Sequence, residues 1–131
     1  MSATEIRAAL DRYVGAWQAG DLATVTGCYH DGFTLNYFGC NALSGRHVGK
    51  AAALAVLADF TRRSQRQLLE IAAVMAGETR GAVIARERLG SGDSAFEAER
   101  VLVYTVADGK LAECWVYDGD QPAIDRLIGA D

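Results

Sequence analysis

The chain has 131 residues, half of them hydrophobic and 23% charged, with a formal net charge of -4. This is the composition of one soluble domain that buries about two-thirds of its unfolded surface, so disorder and disulfide stapling are excluded as organising principles. The negative balance and the single small basic cluster, Arg62, Arg63 and Arg66, exclude a phosphate-backbone partner; no nucleic acid is expected, and the cluster reads as the solvated cationic end of a helix.

Thr4 is expected to cap a first helix running to about Ala19, on which Ile6, Ala9, Leu10, Tyr13, Val14 and Trp17 recur at i, i+3, i+4 and i+7 spacing. That face points into the protein and carries the Tyr13 hydroxyl with it, and a buried phenol needs a partner in the protein or in a ligand. Gly20 supplies the stop and Asp21 caps a short second helix, Leu22 to about Tyr29. Phe33 to Tyr37 reads as a short strand, Asn36 to Gly45 as turns and Val48 to Thr61 as a third helix.

After Arg66 the pattern becomes β-rich. Gln67 to Met75, Ala82 to Leu89 and Glu97 to Ala107 are strands separated by turn compositions. Asp108-Gly109 is the pair that a type I′ hairpin demands, and it joins Val101 to Val106 with Leu111 to Tyr117. Asp120 and Pro122 open a terminal helix to about Ile128, and no linker or repeat interrupts residues 1–131, which are read as a single domain. The last two strands are apolar on both alternating faces, so both faces are expected to be covered. Helices and a pocket cover one; a second copy of the chain is expected on the other, over Trp115 and Tyr117, giving a homodimer.

Cys28, Cys40 and Cys114 are odd in number, widely spaced and without a CxxC pair, so they read as free thiols. With His30 and His47 they supply no local ligand pair, and neither a metal nor a cofactor is expected. The longest apolar run, Ala51 to Ala58, is far short of the about 20 residues of a membrane span. No signal peptide is visible, so no membrane partner and a cytoplasmic location are expected.

Three segments carry a resemblance. Asp11-Arg-Tyr13-Val-Gly-Ala-Trp17-Gln-Ala-Gly20-Asp21-Leu22, Leu43-Ser-Gly leading to Gly49-Lys50, and Asp108-Gly109-Lys110-Leu-Ala-Glu followed by Trp115 resemble, in order and spacing, the NTF2-like superfamily, especially its SnoaL-like branch. The resemblance implies an α+β cone, in which a strongly curved antiparallel sheet wraps around N-terminal helices and encloses an apolar pocket. It also implies a small hydrophobic ligand and membership among ketosteroid isomerases, polyketide cyclases, epoxide hydrolases, dehydratases and binding modules. Against the isomerases, Tyr13 falls on the tyrosine that donates to the developing oxyanion and Tyr29 on a supporting tyrosine. Tyr37 or its neighbour Asn36 occupies the position of the general-base aspartate, and Leu102 that of the protonated aspartate, so efficient steroid isomerisation is not expected. Limonene-type epoxide hydrolases use an aspartate, arginine and aspartate set with one acid near Val116; Arg86, Glu87 and Arg88 offer charges on a neighbouring strand, and no acid stands at Val116 itself.

The candidate site that follows takes Tyr13 as proton donor, Asp118 as the acid/base group and Tyr37 as a further catalytic candidate. Trp17, Tyr29, Phe33, Asn36, Leu54, Leu57, Arg100, Leu102, Cys114 and Val116 are the expected substrate-binding residues, with Phe38 adding to the apolar wall and Arg100 near the mouth to greet an anionic group. His30, His47 and Arg88 are left open as pocket residues. The expected function is cofactor-independent acid/base chemistry on a small hydrophobic carbonyl or polyketide-like substrate, as an isomerase, cyclase, dehydratase or epoxide hydrolase. The alternative is a binding or protein-interaction module on the same fold.

Overall fold

A computed structural model describes residues 2–131. Helix α1 spans Ala3–Ala19, and Ser2 rather than Thr4 caps it: the Ser2 side chain accepts from the Glu5 amide while donating to the Glu5 carboxylate. Ser2 and Glu5 stand at capping-box spacing, which anchors the start two residues earlier than Thr4 would. Gly20 ends the helix at φ 69°, a left-handed conformation that a side chain disfavours. Asp21 caps α2, Leu22–Gly27, which stops two residues short of Tyr29. Tyr29 instead opens β1, Tyr29–Tyr37, because its ring and that of Phe33 are drawn into the core.

An additional strand, β2, Gly45–Val48, runs from the end of the segment read as turns into the first residue expected of the third helix, and pairs antiparallel with β1 from Thr34 to Tyr37. Consequently α3 begins later than expected, at Lys50, and runs to Ser64. Strands β3 (Gln67–Ala76), β4 (Gly81–Leu89), β5 (Phe96–Ala107) and β6 (Lys110–Asp118) and helix α4 (Gln121–Ile128) follow in the expected order. Asp108 and Gly109 both take positive φ, 54° and 73°, as a type I′ turn requires.

The six strands form one sheet in the order β2-β1-β6-β5-β4-β3. It is antiparallel except where β1 runs parallel to β6. Irregular registers in β3/β4 and β5/β6 are places where extra residues increase twist, so the sheet curls. Helix α1 packs across β3 to β6, and α3 lies over β1 and β2 and touches α4. The apolar stripe of α1 closes one side of the concave face: Ile6 and Leu10 are fully buried, and Tyr13 and Val14 nearly so.

Helix α1 lies close against the sheet at Gly81. A Cβ there would stand 2.5 Å from Leu10 Cδ1, 2.8 Å from Ile6 Cγ2 and 2.9 Å from the Met75 carbonyl oxygen. Gly81→Ala is therefore expected to destabilise the protein by about 1–3 kcal/mol, the usual cost of overpacking. The drop is read as a lower urea midpoint at unchanged slope, and an unchanged midpoint would mean that the helix can lift without cost.

Candidate active site

The concave face encloses a cavity of about 610 Å³, within the range of small-molecule sites. Its floor is laid down by the β5/β6 register, in which Tyr104 faces Cys114, Leu102 faces Val116 and Arg100 faces Asp118 on three successive inward rungs. The residues of each rung are two apart along the strand and so share a face. The floor thus changes from phenol and thiol, through aliphatic, to charge. Leu54 and Leu57 of α3 and Trp17 of α1 form the opposing wall, with Phe33 and Leu35 from β1.

At the first end three phenols converge. The Tyr13 ring centroid lies 5.9 Å from that of Tyr29 and 5.6 Å from that of Tyr104, both edge-on. Burial pushes all three hydroxyls up from the ordinary phenol value, and at Tyr13 the neighbouring Tyr104 and Tyr29 hydroxyls only partly offset it. All three therefore remain O–H donors at neutral pH. Burial also raises the Cys114 thiol to about 12, so it stays protonated.

At the other end Arg100 is 2% exposed and Glu87 is 0% exposed. Arg100 donates through Nε and Nη2 to both Asp118 oxygens and through Nη1 to Glu87 Oε2, the last at 3.3 Å. Glu87 also accepts from Arg66 Nε at 2.7 Å and Nη2 at 2.8 Å. Both guanidiniums lie over the Phe60 ring, Arg100 at 4.3 Å and Arg66 at 5.0 Å, and Arg66 also lies 5.3 Å from Trp17. Burial alone would raise the Glu87 carboxyl, but the Arg66 and Arg100 charges outweigh it and hold the group below the usual range. Desolvation likewise opposes the Arg100 charge, and Asp118 and Glu87 more than restore it.

Most of the expected site residues meet here. Tyr13, Trp17, Tyr29, Phe33, Tyr37, Leu54, Leu57, Arg100, Leu102, Cys114 and Val116 all line the cavity. Arg100 stands in the interior rather than at the mouth. Asp118 lies behind Arg100 rather than on the wall, with both oxygens engaged. Asn36 points to the opposite face of the sheet, where its Nδ2 donates to Glu113 and to the Cys114 carbonyl, leaving Tyr37 as the inward neighbour. Phe38 lies outside against Tyr117. His30 contacts Asp108 and the Gly32 amide, His47 contacts the Leu43 carbonyl oxygen, and neither they nor Arg88 line the cavity.

Arg66, Glu87 and Tyr104 were not among the expected residues. Glu87 had a signal, since it falls in phase with Val83, Ala85 and Leu89 on the buried alternation of β4, and Tyr104 is in phase with Arg100 and Leu102. Arg66 had none: Gln65 in a left-handed conformation, φ 51°, ends α3 and precedes the turn of the chain toward the cavity, whereas Arg62 and Arg63 stay on the helix paired with Asp59. An acid, arginine and acid set does assemble, from Glu87, Arg100 and Asp118 on three adjacent strands.

A curled sheet closed over helices around a cavity is the architecture of NTF2-like proteins. Solved structures agree: a protein of unknown function with cystatin-like fold from Xanthomonas campestris superposes with TM-score 0.84 at 22% identity over 98% of this chain and 99% of that one. An NTF2-like protein from Burkholderia xenovorans LB400 gives 0.77 at 24% over 98% and 99%. TerC, co-crystallized with polyporic acid, gives 0.74 at 17% over 92% and 95%. At these identities the likeness establishes the fold. The SnoaL-like domain model matches residues 10–114, and the chain belongs to that family. No curated protein matches it.

The Glu87 ion pairs couple folding to acid. Because the folded carboxyl is depressed, the unfolded chain binds the proton more readily, so stability present at neutral pH is lost as pH falls below about 4.3 toward the folded value. Glu87→Gln is expected to cost about 3 kcal/mol at pH 7, the low end for breaking a buried pair, and to flatten that acid slope. Urea unfolding from pH 7 to pH 3 reads both; an acid slope identical in the variant would remove Glu87 from the account.

Proposed function

We propose that the chain is a cofactor-independent enzyme that takes a small, largely apolar substrate into this cavity and acts on one of its oxygen functions by acid/base chemistry. The reaction is of the isomerase, cyclase, dehydratase or epoxide hydrolase kind. The observation that carries this reading is the convergence of Tyr13, Tyr29 and Tyr104 at one end of a cavity whose middle is aliphatic. Tyr29 and Tyr104 direct their hydroxyls at the Tyr13 oxygen, which leaves the Tyr13 O–H as a preorganised donor for charge that develops on a carbonyl or epoxide oxygen. Tyr13 is assigned the central donor role. Arg100 supplies a fixed cation, and Asp118 with Glu87 orients it; Asp118 accepts a proton only once Arg100 frees one of its oxygens. The TerC complex with polyporic acid is consistent with a small-molecule occupant in this fold.

A second reading, a carrier that binds such a molecule without changing it, is favoured by one observation. Both carboxylates nearest the cavity are taken up by arginines, so among the described residues no free carboxylate faces the ligand at rest. Recovery of a stoichiometric ligand unchanged after long incubation would favour the carrier.

Thermal unfolding of wild type and Tyr13→Phe against phenolic steroids, aromatic polyketides and terpenoid epoxides tests the site. One class is expected to stabilise wild type, by about 2.7 kcal/mol at 100 times the dissociation constant, and to do so less in the variant. Equal stabilisation of the two proteins would remove the Tyr13 hydroxyl from the site.

The outer face of the sheet supports a homodimer as part of the same proposal. Tyr117 is 48% exposed and stacks at 5.1 Å on Phe38, which is 42% exposed, and Trp115 lies beneath the Arg80 guanidinium at 4.5 Å. A second copy covering this patch would remove apolar area from water. Sedimentation of wild type is expected to give twice the chain mass and Tyr117→Glu the single mass; a monomeric wild type would overturn it.

A further inference from the structure

Two hydrogen-bond donors at the charged end of the cavity have no acceptor among the described residues. Tyr37 Oη is buried and unpartnered. Arg66 uses Nε and Nη2 on Glu87, and its Nη1 meets no acceptor. Both side chains line the cavity and flank the same ring: the Tyr37 centroid is 5.9 Å from that of Phe60, and the Arg66 guanidinium 5.0 Å. A desolvated donor left unpaired is costly, so the buried Tyr37 hydroxyl, with the free and solvent-accessible Arg66 Nη1 beside the same ring, marks a place where an acceptor belongs. Oxygens that could accept there are already spent, because Asp118 is held by Arg100 and both Glu87 oxygens by Arg66 and Arg100. The two cations and two anions cancel, yet the groups turned toward the cavity are donors while the carboxylates lie behind the guanidiniums.

We propose that Tyr37 and Arg66 form a subsite for an ionised oxygen acid, so that the ligand is an elongated apolar molecule with a carboxylate or acidic enol at one end and a neutral carbonyl or phenol at the other. This rests on the small-molecule reading of the cavity given above. The register sets the two ends apart. Arg100 and Tyr104 are four residues apart on β5, about 13 Å at the usual strand rise, with the aliphatic Leu102/Val116 rung between them. An acid at the Tyr37 end would thus leave its apolar body over that rung and reach Tyr13, Tyr29 and Tyr104 with its second oxygen. Burial holds the Tyr37 hydroxyl protonated, which suits it to donate.

The probe is 6-hydroxy-2-naphthoate, compared with its methyl ester and with 2-naphthoate, by calorimetric titration of wild type, Tyr37→Phe and Tyr13→Phe. Tyr37→Phe removes a hydroxyl with no protein partner and is expected to fold at least as stably as wild type. The acid is expected to bind wild type about tenfold or more tighter than the ester, the scale of one charge-assisted hydrogen bond, and Tyr37→Phe to erase most of that gap. Tyr13→Phe is expected to weaken acid and ester alike while leaving 2-naphthoate unchanged. Equal affinity of acid and ester for wild type, or an acid affinity indifferent to Tyr37→Phe, overturns the subsite while a Tyr13 effect keeps the cavity reading. Absence of binding by all three compounds contradicts both.

Discussion

The site depends on the burial of one guanidinium. Arg100 is almost fully excluded from solvent, and an arginine cannot shed its proton to relieve the cost. The protein must surround it with anions, and it does so from both neighbouring strands: Asp118 on β6 and Glu87 on β4. Glu87 in turn recruits Arg66 from the chain after α3, and each guanidinium lies against the Phe60 ring. A buried network of this kind is not required for stability, since well-packed apolar residues often serve equally well or better. Its two arginines stand in the wall of the cavity, and that placement is what supports the functional reading proposed above.

The ladder between β5 and β6 turns this interaction into a directional site. Because alternate residues share a face, Arg100, Leu102 and Tyr104 stand in line, and their partners Asp118, Val116 and Cys114 repeat the order. The curled sheet then brings β1 alongside β6, which adds Tyr37 near the charged end and Tyr29 near the phenols. Helix α1 contributes Tyr13 from the one stripe that could reach both sheet and cavity, and Gly81 lets that helix come close.

Much of this was legible in the sequence. The α1 periodicity located Tyr13 and Trp17, the Asp108-Gly109 pair set the β5/β6 hairpin, and alternation around Leu102 and Val116 placed the apolar floor. Strand β2 was not legible because four residues, Gly45 to Val48, carry no pattern of their own and become a strand only against β1. The inward turn of Arg66 depends on the left-handed Gln65, a conformation that glutamine does not advertise. The pairing of Asp118 with Arg100 is likewise a property of cross-strand register, and it turns a candidate base into a group that orients its neighbour.

The central claim is that the Glu87, Arg100 and Asp118 network is kept for the ligand rather than for the fold. The most direct measurement replaces these three together with Arg66, which would otherwise lose its Glu87 partner, by apolar residues of similar size, Arg66→Met, Glu87→Leu, Arg100→Met and Asp118→Leu in one chain, and follows urea unfolding and 6-hydroxy-2-naphthoate binding together. The account predicts stability equal to or above wild type and binding weakened by about tenfold or more. A variant that binds as wild type does, or one that no longer folds, would contradict it.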